Sequence, residues 1–283
     1  MTLESVKLTV SELSNEIKIR DYLKRYVGLS TSLIAKVKFD NVILNGEPVH
    51  MRAIVKNGDT ITINLPEEDS ENIEPINIPI EILYEDEYII AVNKPMNMPV
   101  HPCRGNSLPT LANAIRYYIG SPFVFRAVNR LDRDTSGIVI ITKNQLSAAK
   151  LCTTMKNKHF DKKYIAIVEG KIKSDSGVIN APIVREHEGS IKRIVRPDGK
   201  ESITEYRLLG LTDDGNSIVE LKPLTGRTHQ IRVHMSYIGH PLVNDFLYGN
   251  RVEGKSYYLQ CNSITFPHPR NNEPITISIK QTI

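Results

Sequence analysis

Apolar positions in the first 66 residues predict two helices followed by a small hairpin. The first helix is expected to end at Gly28, and Ser30 suits the N-cap of a second helix that runs to about Val37. Residues 42–49 are typical of two short strands around an Asn-Gly turn, and residues 60–65 alternate polar and apolar positions as a half-buried strand does. The first helix rests on the roughly helical spacing of Ile17, Leu23, Tyr26 and Val27.

From residue 79 onward, segments typical of strands outnumber those typical of helices. The helices do not alternate regularly with the strands, which favours a mixed, largely antiparallel sheet in an α+β fold over a doubly wound parallel sheet. Strands are predicted at 80–84, 88–93, 138–142, 163–169, 208–211, 217–221 and 256–266. Helices are predicted at 111–118 and 145–155, with further helical spacing at Ile231, Met235 and Ile238.

Between these two parts lies a segment with the composition of a linker. Residues 67–78 are acidic, polar and bounded by prolines. We therefore predict a small α+β domain at 1–66, an acidic linker at 67–78 and a larger domain at 79–283.

The composition is that of a globular protein: 40% of the 283 residues are hydrophobic and 24% are charged. No apolar run reaches the roughly 18 residues that a membrane span needs. The first twenty residues carry Glu4, Lys7, Glu12 and Glu16, so they contain no apolar signal-peptide core. We expect neither a membrane partner nor secretion.

The cysteines point to a reducing compartment. Cys103, Cys152 and Cys261 are far apart, odd in number and form no C-x-x-C pair. This pattern is typical of reduced thiols and predicts a cytoplasmic location without a disulfide framework or zinc cluster. Cys103 lies two residues from His101, but that separation alone is no evidence of a catalytic dyad.

Charge is distributed unevenly along the chain. The net charge is only +4, because residues 67–88 hold 9 acidic residues and no basic one. Residues 89–283 hold 27 basic and 16 acidic residues, a net charge of +11. A basic domain of this kind favours a polyanionic partner such as a nucleic acid, whose phosphates dominate affinity. A basic solubilising surface is the alternative.

Residues 128–137 form a charge-dense segment between two apolar runs. Asp132 is flanked by Arg130 and Arg133, and Asp134 follows. A carboxylate held between guanidinium groups stays ionised, so it suits a nucleophile or an electrostatic partner better than a general acid. Taken alone, the same cluster also fits a solvated surface loop.

A second dense segment, residues 221–234, leaves a strand, turns at Thr225-Gly226 and continues with helical spacing. Arg227 falls at this junction, where a side chain can point into a cleft. His229 and His234 are five residues apart and do not share a helical face. Without metal-ligand spacing we predict no metal site, and structural histidines are the default interpretation.

Four segments together resemble the RluA-type family of RNA pseudouridine synthases, and the resemblance covers nearly the whole chain. The resemblance implies a pseudouridine synthase fold, no cofactor, and isomerisation of a uridine that is flipped out of its RNA. The N-terminal segment resembles the S4-type RNA-binding module. The four segments are residues 92–102 (VNKPMNMPVHP), 129–137 (NRLDRDTSG), 162–170 (KKYIAIVEG) and 225–234 (TGRTHQIRVH), the last followed by Gly239-His-Pro241 and Tyr248-Gly249.

The resemblance also implies a role for each matching residue. Asp132 would begin cleavage of the glycosidic bond, either by attacking the ribose or by abstracting a ribose proton. Tyr164 would stack on the uracil and take part in a late proton transfer, and Arg227 would pair with Asp132. Arg130 would fill the space that the flipped base leaves. Further candidate RNA contacts are Lys94, His101, Lys162, Lys163, Thr228 and His229, with Lys192, Arg193 and Arg196 as candidate phosphate contacts.

Some positions depart from the family pattern. The chain has Asn129 where His is usual, Asn97 and Asn244 where Gly is common, and Gln260-Cys261 where His-Ala is usual. In the S4-like segment, Ser30-Thr31 and Phe39-Asp40 also depart from the usual residues.

We expect a monomer that acts on structured RNA, either ribosomal or transfer RNA, without a small-molecule cofactor. Two other classes are weighed against this interpretation. One is an RNA-binding protein that has lost catalysis, for which Asn129 is the only support. The other is a glycoside hydrolase, which normally needs two opposed carboxylates.

Overall fold

The structure is a computed structural model that describes residues 3–29, 31–37, 41–66, 70, 72–102, 109–156, 159–250 and 252–280. Ser30, Phe39, Asp40 and Cys103 lie outside the described residues, as does part of the predicted linker.

The N-terminal part forms an antiparallel sheet of four strands with two helices. The helices and three of these strands were predicted, but the strand Leu3–Thr9 was not. Its turn at Asn45-Gly46 has positive φ at both residues, 51° and 96°, which is the backbone that an Asn-Gly hairpin turn requires. The elements are β1 (Leu3–Thr9), β2 (Ile17–Lys18), α1 (Ile19–Arg25), α2 (Thr31–Lys36), β3 (Val42–Leu44), β4 (Glu47–Pro48), β5 (Ile54–Val55) and β6 (Thr60–Pro66). The sheet order is β1-β6-β3-β4, and β2 pairs with β5 separately.

The larger part is built on one ten-stranded sheet with five further elements around it. Its strands are β7 (Glu81–Glu85), β8 (Ile89–Lys94), β9 (Arg126–Ala127), β10 (Ser136–Thr142), β11 (Asp161–Val168), β12 (Ser176–Asn180), β15 (Ile203–Leu211), β16 (Ser217–Pro223), β17 (Leu259–Pro267) and β18 (Pro274–Ser278). The other elements are α3 (Leu111–Ile119), α4 (Gln145–Lys156), the hairpin of β13 (Ile183–Arg185) and β14 (Arg193–Val195), and α5 (Gln230–Tyr237).

The main path through this sheet is β12-β15-β16-β11-β17-β10-β8-β7, with β18 on β17 and β9 on β10. Only the pair of β10 and β17 is parallel among the described strands, so the predicted mixed, largely antiparallel sheet is confirmed. Eight strands were not predicted from the sequence: β1, β2, β5, β9, β12, β13, β14 and β18. The strand predicted at 208–211 begins five residues late, since β15 starts at Ile203, and the strand predicted at 256–266 begins three residues early, since β17 starts at Leu259.

The described residues form two hydrophobic cores. The first is built from residues between Val10 and Ile63, and the second from residues between Ile89 and Ile277. Helix α4 takes part in both, because Leu151 is fully buried in the second core while Leu146 and Ala149 pack against the first. No helix within the described ranges is both long and apolar enough to cross a membrane.

Candidate active site

One cleft gathers most of the predicted site residues. It has a volume of about 1210 Å³ and lies where the segment between β9 and β10 meets strand β11 and the start of α5. Because these side chains come from three separate parts of the sequence, the fold brings them together. The predicted residues that line the cleft are Arg130, Asp132, Lys162, Tyr164, Arg227, Thr228 and His229.

Asp132 lies in the turn that leads into β10. Its carbonyl oxygen accepts a hydrogen bond from the Thr135 N–H at 3.1 Å, and its side chain is 36% exposed. The neighbouring Arg133 is engaged elsewhere, since its guanidinium donates to both carboxylate oxygens of Asp134, at 2.8 and 3.0 Å. The expectation that Arg133 helps to hold Asp132 is therefore wrong.

Asn129 anchors the segment that carries Asp132. Strand β9 pairs with β10 as far as Ala127, and the Val128 N–H still donates to the Ile140 carbonyl at 2.8 Å. The Asn129 side chain then continues the ladder: its Nδ2 donates to the Ile138 carbonyl and its Oδ1 accepts from the Ile140 N–H, both at 2.9 Å. The buried amide thus replaces two backbone partners where the chain leaves the sheet.

Gly137 allows the segment that carries Asp132 to enter the sheet beside β17. Its φ is +112°, and a Cβ at this position would overlap the backbone of Cys261. Strands β10 and β17 are paired in parallel only through Ser136 with Gln260 and Gly137 with Cys261. Glycine is needed here for close approach of two backbones as well as for its positive φ.

Tyr164 lines the cleft from strand β11. The register between β11 and β17 shifts between Lys163 and Tyr164, and Tyr164 is paired with Cys261. The ring is 8% exposed, and burial raises the pKa of the Tyr164 phenol well above its ordinary value. Burial also raises the pKa of the Cys261 thiol, to about 12. Both groups therefore stay protonated at neutral pH.

A titratable neighbour of Asp132 is His229. His229 Nε2 lies 4.0 Å from Asp132 Oδ2. Arg227, the predicted partner, is exposed at the cleft, and its Nε donates to the Glu201 carbonyl at 3.0 Å. Among the described residues no ion pair joins Arg227 to Asp132, so the structure corrects the predicted pairing.

Arg232 is a buried cleft residue that the sequence analysis passed over. It is 2% exposed, lines the cleft and forms two hydrogen bonds of 2.7 Å to the carboxylate of Asp245. Its guanidinium also lies over three aromatic rings, 4.5 Å from the centroid of Tyr257, 5.0 Å from Tyr248 and 5.3 Å from Phe246. Burial acts to lower the pKa of Arg232, but the hydrogen bonds to Asp245 together with the negative charges of Asp245 and Asp132 and the Tyr257 phenol outweigh burial and raise the pKa.

Lys94 is not an RNA contact, contrary to the prediction. Its side chain is fully buried, and Nζ donates to the carbonyls of Pro95 and Met98 at 2.8 Å and of Arg133 at 3.1 Å. Burial lowers the pKa of Lys94 to about 8. This lysine ties the end of β8 to the segment that carries Asp132, so its role is structural.

Three further predicted contacts have different surroundings. Lys162 lines the cleft, and burial lowers the pKa of its ammonium group. Lys163 lies 3.8 Å from Glu220 and is not among the cleft-lining residues of the described chain. His101 packs edge-on against Phe125, with 5.0 Å between ring centroids, and also lies outside the cleft lining. Contact of Lys163 or His101 with RNA stays a prediction.

The three candidate phosphate contacts lie on or next to the β13–β14 hairpin. Lys192 is 3.5 Å from Glu186, and Arg196 pairs with Asp198. The Arg193 main-chain N–H donates to the Tyr248 hydroxyl at 2.9 Å, which connects the hairpin to the cleft wall. Within the described ranges, no group of three or more His, Cys, Asp or Glu side chains is placed to hold a metal ion.

The sequence and the fold both match known proteins. Residues 88–237 match the family model described as RNA pseudouridylate synthase. The RNA pseudouridine synthase YjbO of Bacillus subtilis is 36% identical over 273 residues, 94% of this chain and 93% of that protein. Ribosomal large subunit pseudouridine synthase D of Xanthomonas campestris is 32% identical over 260 residues, 86% of this chain and 78% of that protein. The solved structure of human RNA pseudouridylate synthase domain containing 1 aligns with a TM-score of 0.61 at 30% identity, covering 72% of this chain and 84% of that one.

The chain belongs to the RNA pseudouridine synthase family. Its relatives confirm the RluA-type resemblance, the fold and the isomerase activity that the motifs predicted. As an RNA pseudouridine synthase it converts uridine in RNA to pseudouridine.

The structure accommodates the departures from the family pattern. Asn97 and Asn244, which stand where Gly is common, have φ of 59° and 64°. Asparagine is among the few residues that adopt this left-handed region readily. Asn129 completes a backbone ladder, and Cys261 fills a fully buried position beside Tyr164. None of these substitutions affects Asp132, Tyr164 or Arg227.

Proposed function

We propose that this RNA pseudouridine synthase modifies uridine in ribosomal RNA of the large subunit, with Asp132 as its catalytic carboxylate. The substrate is suggested by the relative from Xanthomonas campestris, whose name assigns it to the large ribosomal subunit. The observation that carries the proposal for the site is the cleft itself, in which Asp132, Tyr164 and His229 converge from three elements. Transfer RNA is the alternative substrate.

The reaction exchanges one glycosidic bond for another. The uracil leaves the ribose at N1, turns and rejoins the same carbon through C5, so no atom, electron pair or cofactor is supplied from outside. The base must first leave its stack, which costs a few kcal/mol. We propose that Arg130, exposed at the cleft, takes the place of the departed base.

Asp132 would start the cleavage by one of two routes, attack on the ribose or abstraction of a ribose proton. Its side chain is 36% exposed, so a ribose in the cleft can reach it. Tyr164 would stack on the uracil, as aromatic side chains do with unstacked RNA bases. Its protonated phenol, buried beside Cys261, suits a donor and late proton carrier better than a resident base.

Arg227 and Thr228 are exposed where the cleft meets solvent, and we propose that both contact the RNA there. Lys162 would neutralise a phosphate near the target nucleotide. We further propose that the protein works as a monomer in the cytoplasm, the compartment in which its three separated cysteines suit a reduced state.

The test is a transcriptome-wide map of pseudouridines by carbodiimide labelling. It compares cells that lack the gene with cells complemented by the wild type, Asp132→Asn or Glu201→Gln. Glu201 contributes another carboxylate to the cleft lining and is the matched control. We expect one or more large-subunit sites to disappear and to return with the wild type and Glu201→Gln but not with Asp132→Asn.

Purified Asp132→Asn should bind the same RNA and show wild-type thermal unfolding, because the change is nearly isosteric. Turnover by a folded Asp132→Asn protein would remove Asp132 from the mechanism. If the only pseudouridine lost lay in transfer RNA, the substrate would be transfer RNA instead of ribosomal RNA.

A further inference from the structure

The hydrogen bonds around His229 determine which ring nitrogen carries its proton. The Arg193 main-chain N–H, which can only donate, lies 2.9 Å from the Tyr248 hydroxyl oxygen. The hydroxyl accepts that bond, and its own proton is left for His229 Nδ1 at 2.8 Å. With Nδ1 as acceptor, the neutral imidazole carries its hydrogen on Nε2.

The protonated nitrogen of His229 is the one near the catalytic carboxylate. Nε2 lies 4.0 Å from Asp132 Oδ2, and the His229 side chain is 14% exposed. Burial lowers the pKa of His229 below its ordinary value, while the negative charge of Asp132 acts in the opposite direction. The imidazole is therefore neutral at neutral pH. The charged groups that act on it are Asp132, Arg193, Arg232 and Asp245.

The backbone holds His229 in this place. The residue is the N-cap of helix α5 and has φ of 56°, in the left-handed region that histidine adopts more readily than most residues. Its ring also meets the Tyr248 ring edge-on, with 5.7 Å between centroids. Backbone, ring packing and hydroxyl together leave one orientation for the imidazole.

We propose that His229, fixed in its Nε2–H tautomer by Tyr248, is the positioning residue that orients the Asp132 carboxylate for reaction. The inference rests on the proposed role of Asp132. The 4.0 Å separation in the free chain closes to a hydrogen bond when RNA fills the cleft, as catalytic hydrogen bonds often tighten on substrate binding.

A neutral donor suits this task better than a cation. A guanidinium or imidazolium next to Asp132 would stabilise its negative charge and weaken it as a nucleophile or base. An uncharged N–H fixes the orientation of the carboxylate at a smaller cost in reactivity. Arg232, a buried charged donor in the described cleft wall, is already committed to Asp245 at 2.7 Å.

His234 provides an internal comparison on the same helix. It is fully buried, its Nε2 lies 2.9 Å from the Ala181 carbonyl and its Nδ1 lies 2.9 Å from the Thr204 hydroxyl. A carbonyl can only accept, so His234 is also an Nε2–H tautomer, but it joins structural groups instead of Asp132. The two residues should therefore give similar spectra and respond differently to changes at Tyr248.

The first test is nitrogen NMR of the full-length protein labelled with ¹⁵N-histidine, with the His229 signals assigned by their loss in His229→Gln. At pH 7 we expect an Nε2–H tautomer for His229. In Tyr248→Phe, His229 should shift toward a mixture of tautomers while His234 stays unchanged. An Nδ1–H tautomer or an imidazolium in the wild type at pH 7 would overturn the proposal, and this readout needs no RNA conversion.

The second test separates turnover from binding. Tyr248→Phe and His229→Leu should each lower kcat by about 10- to 100-fold, less than the roughly 10²–10⁴-fold of a group that itself transfers a proton, and should leave the Kd for RNA within about twofold. His229→Gln, whose amide can place a donor near Nε2, should recover part of the loss. Equal kcat in His229→Leu and the wild type, equal losses in the Leu and Gln variants, or a loss confined to RNA affinity would each overturn the proposal.

The two tests also distinguish this proposal from the proposed function. If the wild type converted no uridine, the function would fail although the tautomer could be as expected. If the wild type converted uridine and Asp132→Asn did not, while the His229 variants behaved as the wild type, only the role of His229 would fail.

Discussion

Asn129 shows how one side chain can substitute for a strand partner at the entrance to the active site. Its amide bonds to the Ile138 carbonyl and the Ile140 N–H at 2.9 Å each. The family usually has a histidine here, and the departure was the only support for a protein without catalytic activity. Because the amide serves the backbone beneath Asp132, the substitution is compatible with an active synthase.

Asn129→Ala should destabilise the fold by about 2 kcal/mol, since it leaves a buried N–H and a buried carbonyl without partners. The measurement is urea unfolding of the two proteins at neutral pH. Asn180→Ala, an exposed asparagine on β12, is the control and should stay within about 0.5 kcal/mol of the wild type. Equal stability of Asn129→Ala and the wild type would show that water replaces the amide without cost.

Residue types in the motifs were enough to predict where most cleft residues lie, but not how they pair. Arg227 was expected to hold Asp132, yet it binds a backbone carbonyl, while His229 Nε2 lies 4.0 Å from the Asp132 carboxylate. Lys94 was expected to contact RNA, but it is fully buried, which is rare for a lysine. Its ammonium group can be buried because it donates hydrogen bonds to three backbone carbonyls. The sequence pattern around Lys94 does not predict these partners.

At the scale of elements, the pairing of β10 with β17 determines where the segment that carries Asp132 ends. Both strands are predicted by their apolar runs, but their parallel pairing is not, because it joins residues more than 120 positions apart: Ser136 with Gln260 and Gly137 with Cys261. Strands β12 and β18 were missed for a related reason. Each is five residues long and contains only two large apolar residues, so its local pattern alone does not identify a strand.

Gly137→Ala should separate β10 from β17 and impair activity together with stability. A Cβ there would overlap the Cys261 backbone, and the residue would also be held at positive φ. We expect a loss of more than about 2 kcal/mol in the free energy of unfolding, because backbone atoms cannot move aside as a flexible side chain can.

The matched control is Gly215→Ala. Gly215 also has positive φ, +77°, but a Cβ there would meet nothing within 4 Å. It should cost about 1 kcal/mol, the penalty of the backbone conformation alone. If thermal or urea unfolding showed the same loss of stability in both glycine variants, the close approach of β10 and β17 would not contribute to the cost of Gly137→Ala.

At the scale of the whole molecule, helix α4 connects the two cores. One face of α4, toward the main sheet, carries Ser147, Leu151 and Met155. Leu151 is fully buried there. Leu146 and Ala149 pack on the N-terminal core, and Thr153 lies against Gly28, whose φ is +81°. The linker composition predicted separate domains but could not show this contact, since it depends on two apolar faces of a helix with weak overall amphipathicity.

The contact through α4 predicts that the N-terminal part is held against the catalytic sheet in the free protein. Leu146→Glu places a carboxylate on the face that packs against the N-terminal core, and should weaken this contact by about 1–2 kcal/mol, the value of burying a leucine side chain in part. Hydrogen exchange should then become faster in α1 while β10 keeps its protection, because the main core does not depend on Leu146.

Cys152→Glu adds the same charge to an exposed position on the same helix and should leave hydrogen exchange in α1 unchanged. Unchanged exchange in α1 of Leu146→Glu would mean that the two cores are stable independently of their contact, and equal acceleration in both variants would assign the effect to charge on the helix instead of to packing.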